Sequence, residues 1–151
     1  MPVLDRVEAS DPLGRRVLSR DKARRAARGV TPHHVFYEPS DPDISTDRLD
    51  ITSDAEMTAI ADSATPSTQT FYGWAVVSVG VANGSGRRVE RTPEEPEPPR
   101  LGNPYHASIY LPEEALGTET RDARKQHAHE LARNSEWRAC AGADRISTPS
   151  S

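Results

Sequence analysis

Cysteine is almost missing from this chain: Cys140 is the only one in 151 residues. A lone thiol cannot close an internal disulfide, so nothing points to an oxidising compartment. Aromatic residues are scarce at 5%, and hydrophobic residues reach only 34%. Counting the nine glycines as apolar brings the total to roughly 40%, below the ordinary globular norm of about 45–50%. Long hydrophobic runs are missing too. The most apolar stretch, FYGWAVVSVGVA at 71–82, contains two glycines and is too short to span a bilayer. The opening residues MPVLDRVEAS carry acids early and lack an apolar signal-peptide run. A soluble, cytoplasmic protein is therefore expected. Complete motifs are also lacking. There is no phosphate loop, no Cys-x-x-Cys pair and no His-Glu-x-x-His, so no cofactor and no metal are expected.

Charge is present and unevenly divided. Residues 1–34 hold eight bases and four acids, whereas residues 35–63 hold one base and eight acids. The two segments attract one another. Arginine outnumbers lysine by 17 to 2. Bidentate recognition of phosphate or carboxylate is one reading of that excess. Its spread along the chain favours a GC-rich coding bias instead.

The stretch RRVLSRDKARRAAR at 15–28 has good helix propensity but poor apolar periodicity, which predicts a fraying helix or a disordered arm ending at Gly29. Val35–Glu38 reads as a short strand, and ISTDRLDI at 44–51 as a second strand or a structured loop. Ser53-Asp54-Ala55-Glu56 is a capping box leading into a helix at 54–63, stopped before Pro66. Phe71–Ala82 is the strongest strand, apolar on both faces. Asn83-Gly84-Ser85-Gly86 then offers a turn into a hairpin partner at 87–90. The acidic, proline-rich segment 92–99 reads as a stiff linker. Tyr105–Leu111 alternates: Tyr105, Ala107, Ile109 and Leu111 face one way, and His106, Ser108 and Tyr110 the other. A longer helix is expected from about 119 to 134.

Together these predict an α+β fold: a small antiparallel sheet of three or four strands packed against one main helix, with a short second helix and disordered ends. The expected organisation is a basic flexible arm at 1–29, a single domain at 30–138 and a disordered tail at 139–151. The core should bury Phe71, Trp74, Val77, Val79, Ile109 and Leu131.

Candidate functional residues are few. His106, Ser108 and Tyr110 share a strand face, about 6.5–7 Å between successive members, too far for direct His–Ser proton transfer. No orienting acid is evident, and a plain solvated face is the favoured reading, with a ligand or partner contact next. His127 and Glu130, three apart on the long helix, would need further ligands, such as His33 or His34, to hold a metal. The acidic run at 41–54 fails the EF-hand template at Thr46 and Thr52. The basic stretch, including Arg15, Arg16, Arg24 and Arg25, suits nucleic acid phosphates, but it lacks an aromatic residue for stacking and the whole chain is acidic. The functional expectation is a small accessory or binding module, without a catalytic centre, that acts through a protein partner. The alternatives are a nucleic-acid-associated protein using residues 15–28, or a His106-centred hydrolase or RNA-cleaving enzyme with Arg48 or the basic arm holding a phosphate.

Overall fold

A computed structural model describes residues 7–117 and 120–147. Its strands are β1 (Pro12–Val17), β2 (Asp43–Arg48), β3 (Gly73–Ser78), β4 (Arg88–Arg91), β5 (His106–Tyr110) and β6 (Glu136–Ala139). The helices are α1 (Arg20–Ala27), α2 (Asp54–Ala64), the short α3 (Val79–Ala82) and α4 (Arg121–Arg133). All neighbouring strands pair antiparallel, in the order β4-β5-β2-β1-β3-β6. The sheet thus has six strands, not the three or four expected, and more than one main helix packs on it.

The expected flexible arm supplies the correction. Residues 12–17 form β1, which lies between β2 and β3. Arg15 and Arg16 interrupt its apolar pattern, so the stretch looks solvated in the sequence. The helix that follows starts at a proper cap, with the Ser19 hydroxyl accepting from the Lys22 amide at 3.4 Å. Ala23 and Ala26 bury its inner face. At the other end, Glu136–Ala139 adds β6 as an edge strand, and Cys140 beyond it is buried. Residues 1–6 and 148–151 of the expected ends lie outside the described residues.

Three local expectations change as well. The strand at 35–38 is replaced by a 3-10 turn over His33–Val35. The long strand at 71–82 is shorter, because the Ser78 hydroxyl accepts from the Val81 amide at 3.2 Å and starts α3. The chain therefore leaves the sheet before the Asn83–Gly86 turn, and β4 pairs with β5 instead of β3. The proline-rich segment is then the connection within the β4–β5 hairpin. It folds back on itself through bridges between Glu94 and Asn103 and between Glu97 and Arg100.

The sheet is covered on both faces. On one, α1, α4 and the 3-10 turn pack over Leu13, Val17, Ala75, Val77, Ala107 and Ile109. On the other, Met57, Ile60 and Ala61 of α2 pack with Leu49, Phe71, Trp74 and Cys140. The six residues expected in the core are all buried. Helix α2 begins as its capping box predicts, with Ser53 Oγ accepting from the Glu56 amide at 3.1 Å. The Glu56 carboxylate turns elsewhere, accepting from the Thr52 and Tyr105 hydroxyls. Among the described residues no helix is long and apolar enough to cross a membrane.

Candidate functional site: a cleft between parting strands

Strands β1 and β2 pair over only two positions, Leu13 with Arg48 and Gly14 with Asp47. Beyond Gly14, β1 stays with β3 as far as Val17, while β2 stays with β5 as far back as Asp43. The two central strands therefore part, and backbone groups that a continuous ladder would satisfy need other partners. Arg15 supplies some of them. Its Nη1 donates to the Ser45 carbonyl at 3.1 Å and its Nε to the Val35 carbonyl at 3.0 Å. Between the parting strands lies a cleft of about 300 Å³, lined by Arg15, Arg16, Arg100, Ser45, His106 and Glu94 among others. A second cavity of about 260 Å³ adjoins it under the hairpin connection and shares Arg16, Glu94 and Arg100.

The floor is set by Asp47, which is 1% exposed. Arg16 holds it with two bonds, Nε to Oδ2 at 2.9 Å and Nη2 to Oδ1 at 2.8 Å. The Trp74 indole donates to Oδ2 at 2.8 Å and the Asn103 amide to Oδ1 at 2.7 Å. Both oxygens are therefore occupied, and the carboxylate is a fixed anchor for β1, β2, β3 and the hairpin, with no lone pair in position to act as a base. Gly14 makes room for this. A Cβ there would come within 2.7 Å of the Trp74 ring.

His106 lies opposite Asp47 in the β2–β5 register and is 8% exposed. Its Nδ1 is 2.9 Å from the Thr92 carbonyl and 2.8 Å from the Thr92 hydroxyl. A carbonyl only accepts, so Nδ1 carries the hydrogen and a neutral ring presents a bare Nε2. That Nε2 stands 3.9 Å from Glu94 Oε2. The Thr92 hydroxyl also bonds the Ser108 hydroxyl at 2.8 Å, and Ser108 is 2% exposed. The expected solvated face is therefore covered at these two positions by the start of the hairpin connection.

The cations differ in how they are neutralised. Arg16 is paired with Asp47. Arg15 bonds only carbonyl oxygens and has no ion-pair partner among the described residues. Burial pulls its pKa below the ordinary arginine value, against the opposing pull of Glu38. Arg100 is exposed, and its guanidinium has no partner among the described residues. The cleft thus offers two guanidinium groups to a ligand.

Of the residues singled out in the sequence, the structure brings Arg15, Arg16 and His106 into this cleft. Ser108 sits behind His106. Tyr110 lies further along β5 under the Arg88 guanidinium, 4.7 Å from its ring centroid. Arg48 is buried, with Nη2 3.9 Å from Asp11 Oδ2. Arg24 and Arg25 project from α1 into solvent. Asp47, Asn103, Trp74 and Thr92 were missed as members of the site. The sequence shows Asp47 only as one acid of the run at 41–54, and the fold is what brings it to Arg16, Trp74 and Asn103. No family model, no curated protein and no solved structure matches this chain.

The other histidines form two separate groups. His33 lies between His34 and His129, with ring centroids 3.9 and 4.0 Å away. Burial, and then its neighbours His34, His129 and Lys125, push the His33 pKa down. His127 Nδ1 lies 2.8 Å from Arg87 Nη1 and so accepts a hydrogen bond. Burial and that guanidinium lower its pKa. Arg87 also bonds Glu130 at 2.8 Å and, together with Ser85, holds that carboxyl below its usual range. Among the described residues no group of three His, Cys, Asp or Glu is placed to hold a metal ion.

Proposed function

We propose that this chain is a binding module for a small oxyanion, a phosphate or carboxylate group held in the cleft between β1 and β2. One observation carries the reading: Arg15, a half-buried guanidinium at the cleft, is bonded only to carbonyl oxygens and to no carboxylate. A buried charge is normally paired, and an anionic ligand would complete the pairing. The volume, about 300 Å³, is at the lower end of small-molecule sites. That favours a small ligand, or a single anionic group of a larger partner, over a broad protein surface. The binding-module expectation is kept, with the anionic group as its recognition element.

The enzyme alternative requires a second titratable group within hydrogen-bond reach of His106. Glu94, at 3.9 Å, is beyond that reach, and Asp47 is fully bonded. The nucleic-acid alternative is weakened because Arg16 is paired with Asp47, Arg15 is recessed in the cleft and the whole chain carries a net charge of −4.

The test is a calorimetric titration of the full chain with inorganic phosphate and with acetate. Saturable binding of at least one is expected. Arg15→Gln should weaken it roughly tenfold or more, as loss of a charge-assisted bond implies. Arg100→Ala, an exposed change that leaves the fold alone, should weaken it too. If neither anion binds, or both variants bind like the parent, the proposal fails.

A further inference from the structure

We infer that the cleft selects an oxyanion that itself carries a proton, a phosphate or phosphate monoester in preference to a sulfate or sulfonate, and that His106 and Glu94 make the selection. The inference rests on the oxyanion reading of the cleft and adds the identity of the anion to it.

Arg15 and Arg100 offer only donors, and any oxyanion satisfies donors. The opposite wall is different. The Thr92 carbonyl takes the Nδ1 hydrogen of His106 at 2.9 Å, so the ring, when neutral, carries an acceptor, Nε2, at the cleft. Beside it Glu94 presents a carboxylate oxygen, also an acceptor, 3.9 Å from Nε2. Neither acceptor can donate to the other while the ring is neutral and the carboxylate ionised. Two acceptors held side by side, in a cleft whose unneutralised guanidinium donors are Arg15 and Arg100, are satisfied by a ligand with an O–H group. Sulfate has none near neutral pH and meets both acceptors with bare oxygen. Phosphate and its monoesters keep a proton on oxygen over part of the neutral range, and that proton can bridge to Nε2 or to Glu94. A site built to accept from a ligand hydroxyl discriminates strongly against the analogue lacking it, because its own polar group is left facing a like charge.

The experiment compares inorganic phosphate with inorganic sulfate by calorimetry at one pH near 7 and one ionic strength, using the full chain. Phosphate should bind roughly tenfold or more tightly than sulfate. Glu94→Gln replaces one acceptor by an amide that can donate, at an exposed position where folding is not at stake. It should raise sulfate affinity more than phosphate affinity and narrow the ratio. His106→Asn places an amide nitrogen where Nδ1 sits, preserves a donor to the Thr92 carbonyl and removes Nε2. It should also narrow the ratio. Equal affinities for phosphate and sulfate in the parent overturn the inference while leaving the oxyanion cleft intact. So does a ratio that neither variant changes. Failure of both anions to bind overturns the inference, and the cleft reading falls with it only if acetate fails to bind as well.

Discussion

At the scale of single residues, the molecule is organised around Asp47. Four hydrogen bonds from Arg16, Trp74 and Asn103 converge on a carboxylate that water barely reaches. Removing it leaves the Arg16 charge and two buried donors without their partner. Asp47→Ala should therefore destabilise the protein by about 3–5 kcal/mol, read as a lower urea midpoint with an unchanged slope. A loss below 1 kcal/mol would show that water replaces the carboxylate cheaply. This arrangement was not legible in the sequence. The partner next to Asp47 in the chain is Arg48, whereas its partner in space comes from β1, a strand the apolar pattern did not announce. His106 illustrates the same limit. Alternation placed it correctly on the face opposite Ala107 and Ile109, but the pattern could not show that Thr92 would cover that face. Titration gives a second prediction at this scale. His33 and His127 both have pKa values lowered in the fold from the ordinary 6.5. The unfolded chain therefore takes up their protons first as pH falls, and stability declines as pH drops through and below that value. Glu130, lowered from 4.5, contributes stability that is present above that pH and lost below it. Melting temperature should thus fall in two steps on acidification. His127→Gln should flatten the upper step, and thermal scans from pH 8 to about pH 2 check both steps.

Elements formed where local signals and packing agree. Helix α2 has its serine cap and an apolar face, and Ser53→Ala should cost about 1 kcal/mol in chemical denaturation. Helix α4 and strands β3 and β5 were legible for the same reason: their apolar spacing matches the face each buries. Strand β1 was not, because PLGRRV places a glycine and two arginines where alternation should show apolar residues. Each exception has a structural cause. Gly14 lies under the Trp74 ring, Arg16 holds Asp47, and Arg15 fills the gap where β1 and β2 separate. Gly14→Ala forces a methyl within 2.7 Å of the indole and should cost about 1–3 kcal/mol by overpacking. Near-UV circular dichroism of the same variant should show a displaced tryptophan. An unaltered spectrum and midpoint would mean that the ring shifts freely.

At the scale of the whole molecule, the first strand cannot be spared. Composition suggests that residues 1–29 are dispensable, yet β1 joins the β4-β5-β2 half of the sheet to the β3-β6 half. A chain beginning at Gly29 should therefore lose cooperative unfolding in a urea titration. The same placement bears on polyanions. With Arg16 paired to Asp47, Arg15 recessed between β1 and β2 and a net charge of −4, binding to random duplex oligonucleotides at about 150 mM salt should be undetectable in a fluorescence titration. The central position of β1 also sets the pace of assembly. Leu13 faces Arg48 on one side and Val77 on the other. Strand β1 is made well before the strand it pairs with across most of its length, and the sheet is complete only once Ala139 has emerged opposite Gly73. Pairings this distant in sequence place refolding on a scale of about milliseconds to seconds, not microseconds. A nascent chain halted before Ser78 would hold Leu13 and Val17 unshielded, a natural client for a chaperone at the tunnel exit.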